Sequence, residues 1–455
     1  MTEKVMDNYK KIFHAYDIRG VVGKDLNSPI VRAIAYAYGK YLCPDKAGRF
    51  VIGYDARWSS PALAEAMSVG LREAGHQVTQ IGLASTSLVY WYGAEGDFDG
   101  SAAVTASHLP PNYNGLKLCG SDAVPLSSED GLTEILNILL KVSYQADVMS
   151  NESLLHVSPL PLYAAFLKQR LKPARKLRIA VDAGNSMGGI ETEAVFSYSD
   201  MVEIWPIGFH PDAKFPSRPS NPLEEGALDQ LRQVVLRNNL SFGLAFDGDA
   251  DRAVAVDEKG AIVQADALGG LIARYLLKQH PGATILHDLR ISRAFTEELQ
   301  ASGAKTVRSR VGHAFIKHAM RRHNAIFAAE LSGHYYYADL YFTDNGLRTL
   351  IELVNVLSAE DKPFSELIKP FQRYPVTGEM NIKVRDWGKL LDELEKKYQD
   401  GHVDFLDGIS ADYSDWWFNI RPSNTEPVVR VNIGAINDKI LDAKRSFLLE
   451  QLERY

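Results

Sequence analysis

The sequence predicts an α/β protein: three consecutive, similar mixed-sheet α/β domains plus a smaller C-terminal α+β domain. Three observations predict it. Apolar strand-like runs alternate with stretches of helical period, the pattern of right-handed βαβ units. The strand–helix order recurs in three blocks of similar size, as structural repeats do, although no identity between the blocks is visible. After the third block the order changes to several strands with two helices. The expected domains are 1–147, 148–256, 257–368 and 369–455.

In the first block, Phe13 to Gly20 reads as a strand ending in a glycine turn, with Arg19 at the turn. Arginine suits an anion there because its fork donates two parallel hydrogen bonds, but an ion pair with Asp17 explains it as well. Arg49 to Tyr54 is a strand closing on Asp55. Ser60 and Pro61 read as N-cap and first helical residue, Leu63, Met67, Val69 and Leu71 as the buried stripe, and Gly75 as the helix stop. Val78 to Ile81, Tyr90 to Tyr92 and Ser101 to Val104 continue the sheet. Ser127 to Tyr144 is a helix, and polar Asp147 to Ser153 marks the first boundary.

The second block opens with the strand Leu177 to Asp182. The Gly-rich turn after it, Ala183 to Gly189, fits neither dinucleotide nor P-loop spacing and reads as a strand–helix connection. A Pro-rich loop, Pro211 to Pro222, precedes a helix over Leu223 to Asn238. Phe242 to Phe246 is a buried strand, and Ala253 to Gln264 a hairpin turning at Asp257 to Gly260. The third block has strands at Ala283 to His287, Lys305 to Arg308 and Ala325 to Ala328, with a helix over Gly312 to His323. In the last block Val376 to Val384, Asp404 to Ser410, Trp416 to Ile420 and Val428 to Ile433 read as strands. Trp387 to Lys397 and Asp438 to Leu452 read as helices.

The 455 residues suffice for about three or four domains, and a hydrophobic content of 46% with 24% charged residues is that of ordinary globular protein. A net charge of −7 offers no basic field for nucleic acid. Cys43 and Cys119 stand far apart, outside any metal spacing, as in a reducing compartment. Met1 to Lys11 lacks the apolar core of a signal peptide, and the longest apolar run, Ala267 to Leu277, is cut by Arg274. The expected class is a soluble cytoplasmic enzyme, monomer or weak dimer, without nucleic-acid or membrane partners.

Chemistry concentrates in loops. Thr105-Ala106-Ser107-His108-Leu109-Pro110 follows a strand and leads to Lys117, so a hydroxyl, an imidazole and an ammonium fall within eleven residues. Prolines forbid a helix there, and a serine on a rigid loop is placed to attack or carry a transferable group. Taken alone, the loop reads equally as a Pro-rich turn with a capping serine. Asp247, Asp249 and Asp251 recur every second residue between apolar strands. Carboxylates so close repel unless a cation sits among them, and oxygen-only ligands favour Mg²⁺ over zinc. The rest of an EF-hand is missing. An acidic surface turn is the competing reading, which the buried flanking strands disfavour. Arg252, beside the carboxylates, is available to a phosphate oxygen.

Arg421-Pro422-Ser423-Asn424-Thr425 offers a guanidinium, two hydroxyls, an amide and backbone N–H groups, a phosphate-binding set. Arg218-Pro219-Ser220-Asn221 repeats its first four letters, but Pro222 and a helix follow, so that copy reads as structural. Glu330, Ser332 and His334 alternate, as on one face of an extended segment, where a carboxylate and a hydroxyl suit neighbouring sugar hydroxyls. Core polar residues have the same appearance.

These loops resemble, in order, those of the α-D-phosphohexomutase family: Thr-Ala-Ser-His, Asp-Gly-Asp-Ala-Asp-Arg, Glu-Leu-Ser-Gly-His and Arg-Pro-Ser-Asn-Thr-Glu-Pro, with Ala-Tyr-Asp-Ile-Arg-Gly near the start. The resemblance covers nearly the whole chain and is strongest to the bacterial phosphomannomutase/phosphoglucomutase group. It implies four domains around a central cleft and transfer of phosphate between O1 and O6 of a hexose phosphate. It makes Ser107 the phosphoserine, completing one Mg²⁺ site with Asp247, Asp249 and Asp251, and hexose 1,6-bisphosphate the intermediate and activator. Glu330 and Ser332 would touch sugar hydroxyls, with His334 beside them. Arg421, Ser423, Asn424 and Thr425 would hold the non-reacting phosphate. Tyr16, Arg19, His108, Lys117, Arg252 and His313 would line the cleft. Arg290 stands where the family often has a lysine proposed as general acid or base.

Three departures from the family pattern stand out: Leu109 where asparagine is usual, Ala329 where glycine is common, and Val311 for a usual threonine. None replaces the attacking serine or the metal carboxylates. Leu109 and Val311 motivate an alternative, a catalytically degenerate sugar-phosphate-binding paralogue. Asn424 and Leu331 resemble the phosphomannose/phosphoglucose pattern more than that of a phosphoglucosamine-type mutase, which is a further alternative. A Mg²⁺-dependent phosphatase using the same serine is a third.

Overall fold

The first two α/β blocks share a parallel core that turns back antiparallel, and that shared topology decides where two of the functional loops lie. The computed structural model describes residues 3–141, 154–197, 199–423 and 428–452. The chain divides into two units, Met1–Val263 with Ser332–Ser365, and Gln264–Leu331 with Glu366–Tyr455.

In the first unit, six strands lie in the order Ile18–Val21, Tyr113–Gly120, Gly100–Val104, Arg49–Tyr54, Gln77–Leu83, Leu154–His156. Arg49–Tyr54 runs parallel to its neighbours Gln77–Leu83 and Gly100–Val104, and the chain then returns antiparallel as Tyr113–Gly120. The serine loop is that return. A four-stranded sheet repeats the scheme: Leu177–Asp182 is parallel to Val202–Ile207 and to Phe242–Phe246, which turns back antiparallel as Ala253–Asp257. The aspartate loop is this second return. In the second unit, Thr284–Asp288 is parallel to Lys305–Ser309 and Phe327–Ala329, and Glu330 directly follows the latter. The second unit also holds a five-stranded sheet, Met380–Lys383, Val428–Ala435, Trp416–Pro422, Ile409–Asp412, His402–Asp404, antiparallel throughout and backed by Trp387–Tyr398 and Asp438–Leu452. Three mixed α/β domains and a smaller α+β domain are therefore present as expected.

Fully buried strands such as Gly100–Val104 and Phe242–Phe246 hold the loop ends rigidly, because both faces are close-packed and a slip of one residue would press each side chain into a space shaped for another. The helix Ser28–Leu42 packs Val31, Ile34, Ala35 and Tyr38 into the first core, where Phe50, Met67 and Leu116 join it.

Several local expectations are corrected. Tyr90 to Tyr92 are helical, within Thr86–Glu95, capped by the Ser85 side chain accepting from the Leu88 N–H. That helix is buried nearly all round, so it lacks the polar face that reveals a helix in sequence. Arg19 lies inside Ile18–Val21 rather than at a turn. Ser60 is the first helical residue and its hydroxyl serves Asp55, not the helix end. The helices expected from Ser127 and Leu223 begin only at Leu132 and Asp229, after Gly131 and Gly226 take positive φ of 115° and 77°. Asp404 to Ser410 is two strands, broken before Gly408, and the strand expected from Val376 starts at Met380. The hairpin expected through Gln264 keeps one return bridge, Val256 to Ile262. Residues 142–144 and the expected boundary at 147–153 lie outside the described residues.

Candidate active site

The serine loop is held by its backbone. Arg57, fully buried, donates to the carbonyls of Ser107 (2.7 Å), Leu109 (2.6 Å), Pro110 (2.7 Å) and Tyr113 (3.1 Å). Its Nε pairs with Asp55 Oδ2 at 3.1 Å. Thr105 Oγ1 donates to the same carboxylate at 2.7 Å and accepts the Ser107 N–H at 2.8 Å. With its carbonyl and amide both fixed, Ser107 is kept at φ +50°, a left-handed conformation that costs a non-glycine residue about 1 kcal/mol or more. Gly248 completes the fit, since a Cβ there would come within 2.3 Å of the Ser107 carbonyl oxygen. The result aims Ser107 Oγ at Asp247 Oδ2, 2.8 Å away.

Asp247, Asp249 and Asp251 are buried, and each offers a carboxylate oxygen within 4.8 Å of the others. Lys117 Nζ, reaching in from the strand after the serine loop, lies 2.8 Å from Asp249 Oδ2 and 2.5 Å from Asp251 Oδ2. Burial opposes its charge, but Asp249 and Asp251 outweigh that and hold the ammonium well above the usual lysine range. Arg252 Nε is 3.6 Å from Asp247 Oδ2. These cations do not satisfy the cluster. Burial and the charges of Asp251 and Asp249 push the Asp247 carboxyl up to about 8. Asp249 Oδ1 is buried with no hydrogen-bond partner. An orphaned carboxylate oxygen among repelling carboxylates fits a bound metal ion.

The remaining surroundings are electropositive. Arg252, then burial, then Arg19, His334 and Lys117 drive the His108 imidazole far below its ordinary value, so it is neutral at pH 7. Its Nδ1 is 3.3 Å from Ser107 Oγ. Arg19 pairs with Asp17 at 3.0 Å, and Tyr16 is half-buried beside it in sequence. Glu330, Ser332 and His334 do not share one face as expected. Leu331 and Ser332 form a turn, and Gly333 at φ +86° redirects the chain. His334 accordingly joins the acidic cluster, its Nε2 3.3 Å from Asp251 Oδ1 and 3.8 Å from Asp344 Oδ2, with Nδ1 2.8 Å from Ser332 Oγ.

In the second unit, Arg290 lies 2.7 Å from Asp288, 3.2 Å from Glu330 and 3.2 Å from Glu379. Glu379 also accepts from Arg421 Nη2 at 2.8 Å and Arg430 Nη1 at 3.2 Å; burial opposes its charge, but Arg290, Arg421 and Arg430 together hold its carboxyl below the usual range. His313 is the first residue of the helix His313–His323 and is buried. Ser423 donates its N–H to the Val428 carbonyl at 2.9 Å; Asn424 and Thr425 lie outside the described residues. The second Arg-Pro-Ser-Asn copy is structural, as read from sequence: Arg218 is buried against Asp182 at 2.8 Å and the Phe246 carbonyl at 2.6 Å. Asp55, Arg57, Asp344, Glu379 and Arg430 escaped the sequence reading. Only the Asp-x-Arg pair just past a strand end could have signalled any of them.

Four family profiles match in order: "Phosphoglucomutase/phosphomannomutase, alpha/beta/alpha domain I" over residues 10–146, domain II over 161–260, domain III over 264–374, and the C-terminal domain over 379–450. The chain is 34% identical over 438 residues to a phosphomannomutase of Methanocaldococcus jannaschii, covering 95% of each chain. The chain belongs to the α-D-phosphohexomutase family. A phosphomannomutase of Escherichia coli strain K12 is likewise 34% identical, over 451 residues, covering 97% of this chain and 98% of its own. The crystal structure of a phosphoglucomutase/phosphomannomutase family protein from Burkholderia thailandensis superposes with a TM-score of 0.90 at 28% identity, covering 98% of this chain and 97% of that one. This protein is thus a phosphohexomutase, an enzyme of carbohydrate metabolism, and its acidic loop fits the metal ion of such an enzyme. Among the described residues, no helix of this phosphohexomutase is long and apolar enough to cross a membrane.

Proposed function

We propose that the enzyme moves phosphate between O1 and O6 of a hexose phosphate, mannose or glucose, through a phosphoserine at Ser107 and hexose 1,6-bisphosphate. The phosphoryl group leaves Ser107 Oγ for the free sugar hydroxyl: the P–Oγ bond breaks, a P–O bond to the sugar forms, and the hydroxyl proton ends on Oγ. The bisphosphate turns over and returns its other phosphoryl group to Ser107. The observation that carries this is the 2.8 Å contact of Ser107 Oγ with a buried carboxylate that lacks its full counter-charge.

Asp247, Asp249 and Asp251, with the Ser107 phosphoryl group, would hold one Mg²⁺, oxygen donors being the kind this cation takes. The ion would supply positive charge against the transferring phosphoryl oxygens. Neutral His108 places an imidazole nitrogen 3.3 Å from Oγ without adding charge. Against the cost of burial, Lys117 holds Asp251 ionised, and Arg252 can swing toward a phosphate oxygen from a contact of 3.6 Å. Tyr16, Arg19 and His334 of the first unit, and His313 of the second, are assigned to substrate binding, with Arg290 at the position of a general acid or base. Its three carboxylate neighbours hold the Arg290 guanidinium charged, so a positioning and electrostatic role suits it better than proton transfer. Glu330 and Ser332 take sugar hydroxyls. Arg421, Ser423, Asn424 and Thr425 grip the phosphate that is not reacting. The divisions 1–147, 148–256, 257–368 and 369–455 remain the proposed domains, and two buried cysteines that form no disulfide favour the reducing cytoplasm.

Intact mass before and after phosphatase treatment, with a coupled assay on mannose and glucose 1-phosphates, tests the proposal. Wild type should carry one removable phosphoryl group, and Ser107→Ala should lose both it and turnover while still binding sugar phosphate. Undiminished turnover in Ser107→Ala would remove Ser107 from the mechanism.

A further inference from the structure

Three consecutive small polar residues, Ser85, Thr86 and Ser87, each grip a different part of the first unit. Ser85 gives its N–H and its hydroxyl to the carboxylate of Glu191, at 3.0 and 2.9 Å. Ser87 Oγ donates to the Asp344 carbonyl at 2.9 Å. Thr86, between them, donates twice to Asp249: its N–H to the carbonyl at 3.2 Å and its Oγ1 to Oδ2 at 2.5 Å. All three partners of this clip are buried, and so are the three residues themselves.

The hydroxyl of Thr86 decides how the Asp249 carboxylate is turned. Oδ2 receives two donors, Thr86 Oγ1 and Lys117 Nζ, the latter at 2.8 Å. Lys117 cannot fix the rotation alone, because the same ammonium lies 2.5 Å from Asp251. With Oδ2 occupied on both sides, Oδ1 is the oxygen left over, and it is buried without a partner. The other clip contacts hold Thr86 still: Ser85 caps the helix Thr86–Glu95 while bound to Glu191, so Thr86 has little freedom to move away. We infer that Thr86 is a positioning residue for metal binding, orienting Asp249 so that Oδ1 faces the cation, and that the Ser85–Glu191 contact braces it. The inference rests on the reading of the aspartate loop as a metal site. Partners that orient a ligating carboxylate are worth about 10- to 100-fold in metal affinity.

The test is Mn²⁺ binding to the full-length protein, followed by the loss of the free-ion paramagnetic resonance signal. Thr86→Val keeps the shape and the backbone N–H but removes the hydroxyl donor; it should weaken Mn²⁺ binding by about 10-fold or more. Activity of the same variant should return toward wild type as metal is raised to saturation. Thr86→Ser, which keeps both donors, should bind as wild type does. Ser87→Ala breaks a neighbouring grip without touching a ligand and should leave Mn²⁺ affinity unchanged. Equal affinity in Thr86→Val and wild type overturns the inference. So does an equal loss in Ser87→Ala, which would mean that general docking matters and carboxylate orientation does not. A loss in Thr86→Ser overturns it as well, even were Thr86→Val too unstable to measure. Failure of the wild type itself to bind Mn²⁺ is a separate result, which removes the metal reading on which the inference stands.

Discussion

Ser107 Oγ and Asp247 Oδ2, 140 positions apart in the chain, lie 2.8 Å from one another. Both belong to the loop that follows the same strand of successive repeats, where a parallel strand turns back antiparallel. Duplicated topology thus supplies two loops with one address, and different loop sequences divide the work: one carries the hydroxyl, the other the carboxylates.

Metal should stabilise the protein through that second loop. A cation that binds only the folded state adds about 2.7 kcal/mol at a hundredfold excess over its dissociation constant. Mg²⁺ should therefore raise the melting temperature of wild type by several degrees, and chelation should reverse it. Asp249→Asn should lose the increment. Its metal-free melting temperature should not fall to the same extent, because the substitution also relieves repulsion that pushes Asp247 up to about 8. A Mg²⁺ increment of equal size in the variant would argue against Asp249 as a ligand.

Arg57 should prove as costly to lose as a catalytic group, though it touches no reacting atom. Arg57→Met strands the fully buried Asp55 and frees four loop carbonyls. Breaking such a pair costs about 3–5 kcal/mol. Because these bonds and Thr105 hold the Ser107 backbone at φ +50°, turnover in the folded fraction should fall by about 10²-fold, the scale of a misplaced reacting group. Arg57→Lys should recover part of the stability but little of the turnover, since one ammonium cannot reach four carbonyls. Full activity in Arg57→Lys would show that the loop holds its shape unaided.

The legible parts of the molecule were those whose chemistry is local. Asp247, Asp249 and Asp251 sit within five residues between two apolar strands, so their repulsion, and hence their cation, can be argued from spacing alone. The buried strands Leu177–Asp182 and Phe242–Phe246 were equally plain. What stayed hidden depends on distant partners. Thr86–Glu95 has no polar face because both sides are covered by other segments, and Arg57 has no motif because it binds backbone. His334 looked like one of an alternating trio, but Gly333 redirects it to Asp251. Positive φ at a glycine is permitted by the sequence and decided by the fold.

The two Arg-Pro-Ser-Asn copies should separate cleanly in kinetics. Arg218 is buried on the Asp182 carboxylate and three carbonyls, so Arg218→Met should lower the melting temperature while the surviving enzyme keeps its KM. Arg421 shares Glu379 with Arg290 and Arg430, and that carboxylate remains paired without it. Arg421→Met should therefore change stability little and raise the KM for hexose phosphate by about 10-fold or more, the loss of a charge-assisted contact to substrate. Titrating turnover against substrate and melting both variants checks this. An unchanged KM in Arg421→Met would leave the C-terminal loop without its assigned role.

Glu191 should make stability fall as pH rises, a sign opposite to that of most paired carboxylates. It is fully buried, and that burial lifts its pKa to about 7 from an ordinary value near 4.5; the two hydrogen bonds from Ser85 oppose the shift without cancelling it. In the unfolded chain the group ionises at its ordinary value. Below about pH 4.5 both states hold the proton, and the carboxyl costs folding nothing electrostatically. Between there and about pH 7 the unfolded state releases its proton first, so folding grows progressively less favourable. Above pH 7 both are ionised and the penalty is complete, at most about 3 kcal/mol for a shift of this size. Glu191→Gln removes the titration and keeps an oxygen to accept the Ser85 N–H. It should melt higher than wild type at pH 8, with the gap narrowing through pH 6 and closing by about pH 5. Melting curves of the two proteins across that range decide the matter: a difference that does not vary with pH would mean that Glu191 is not protonated in the fold, and that some unseen partner neutralises it.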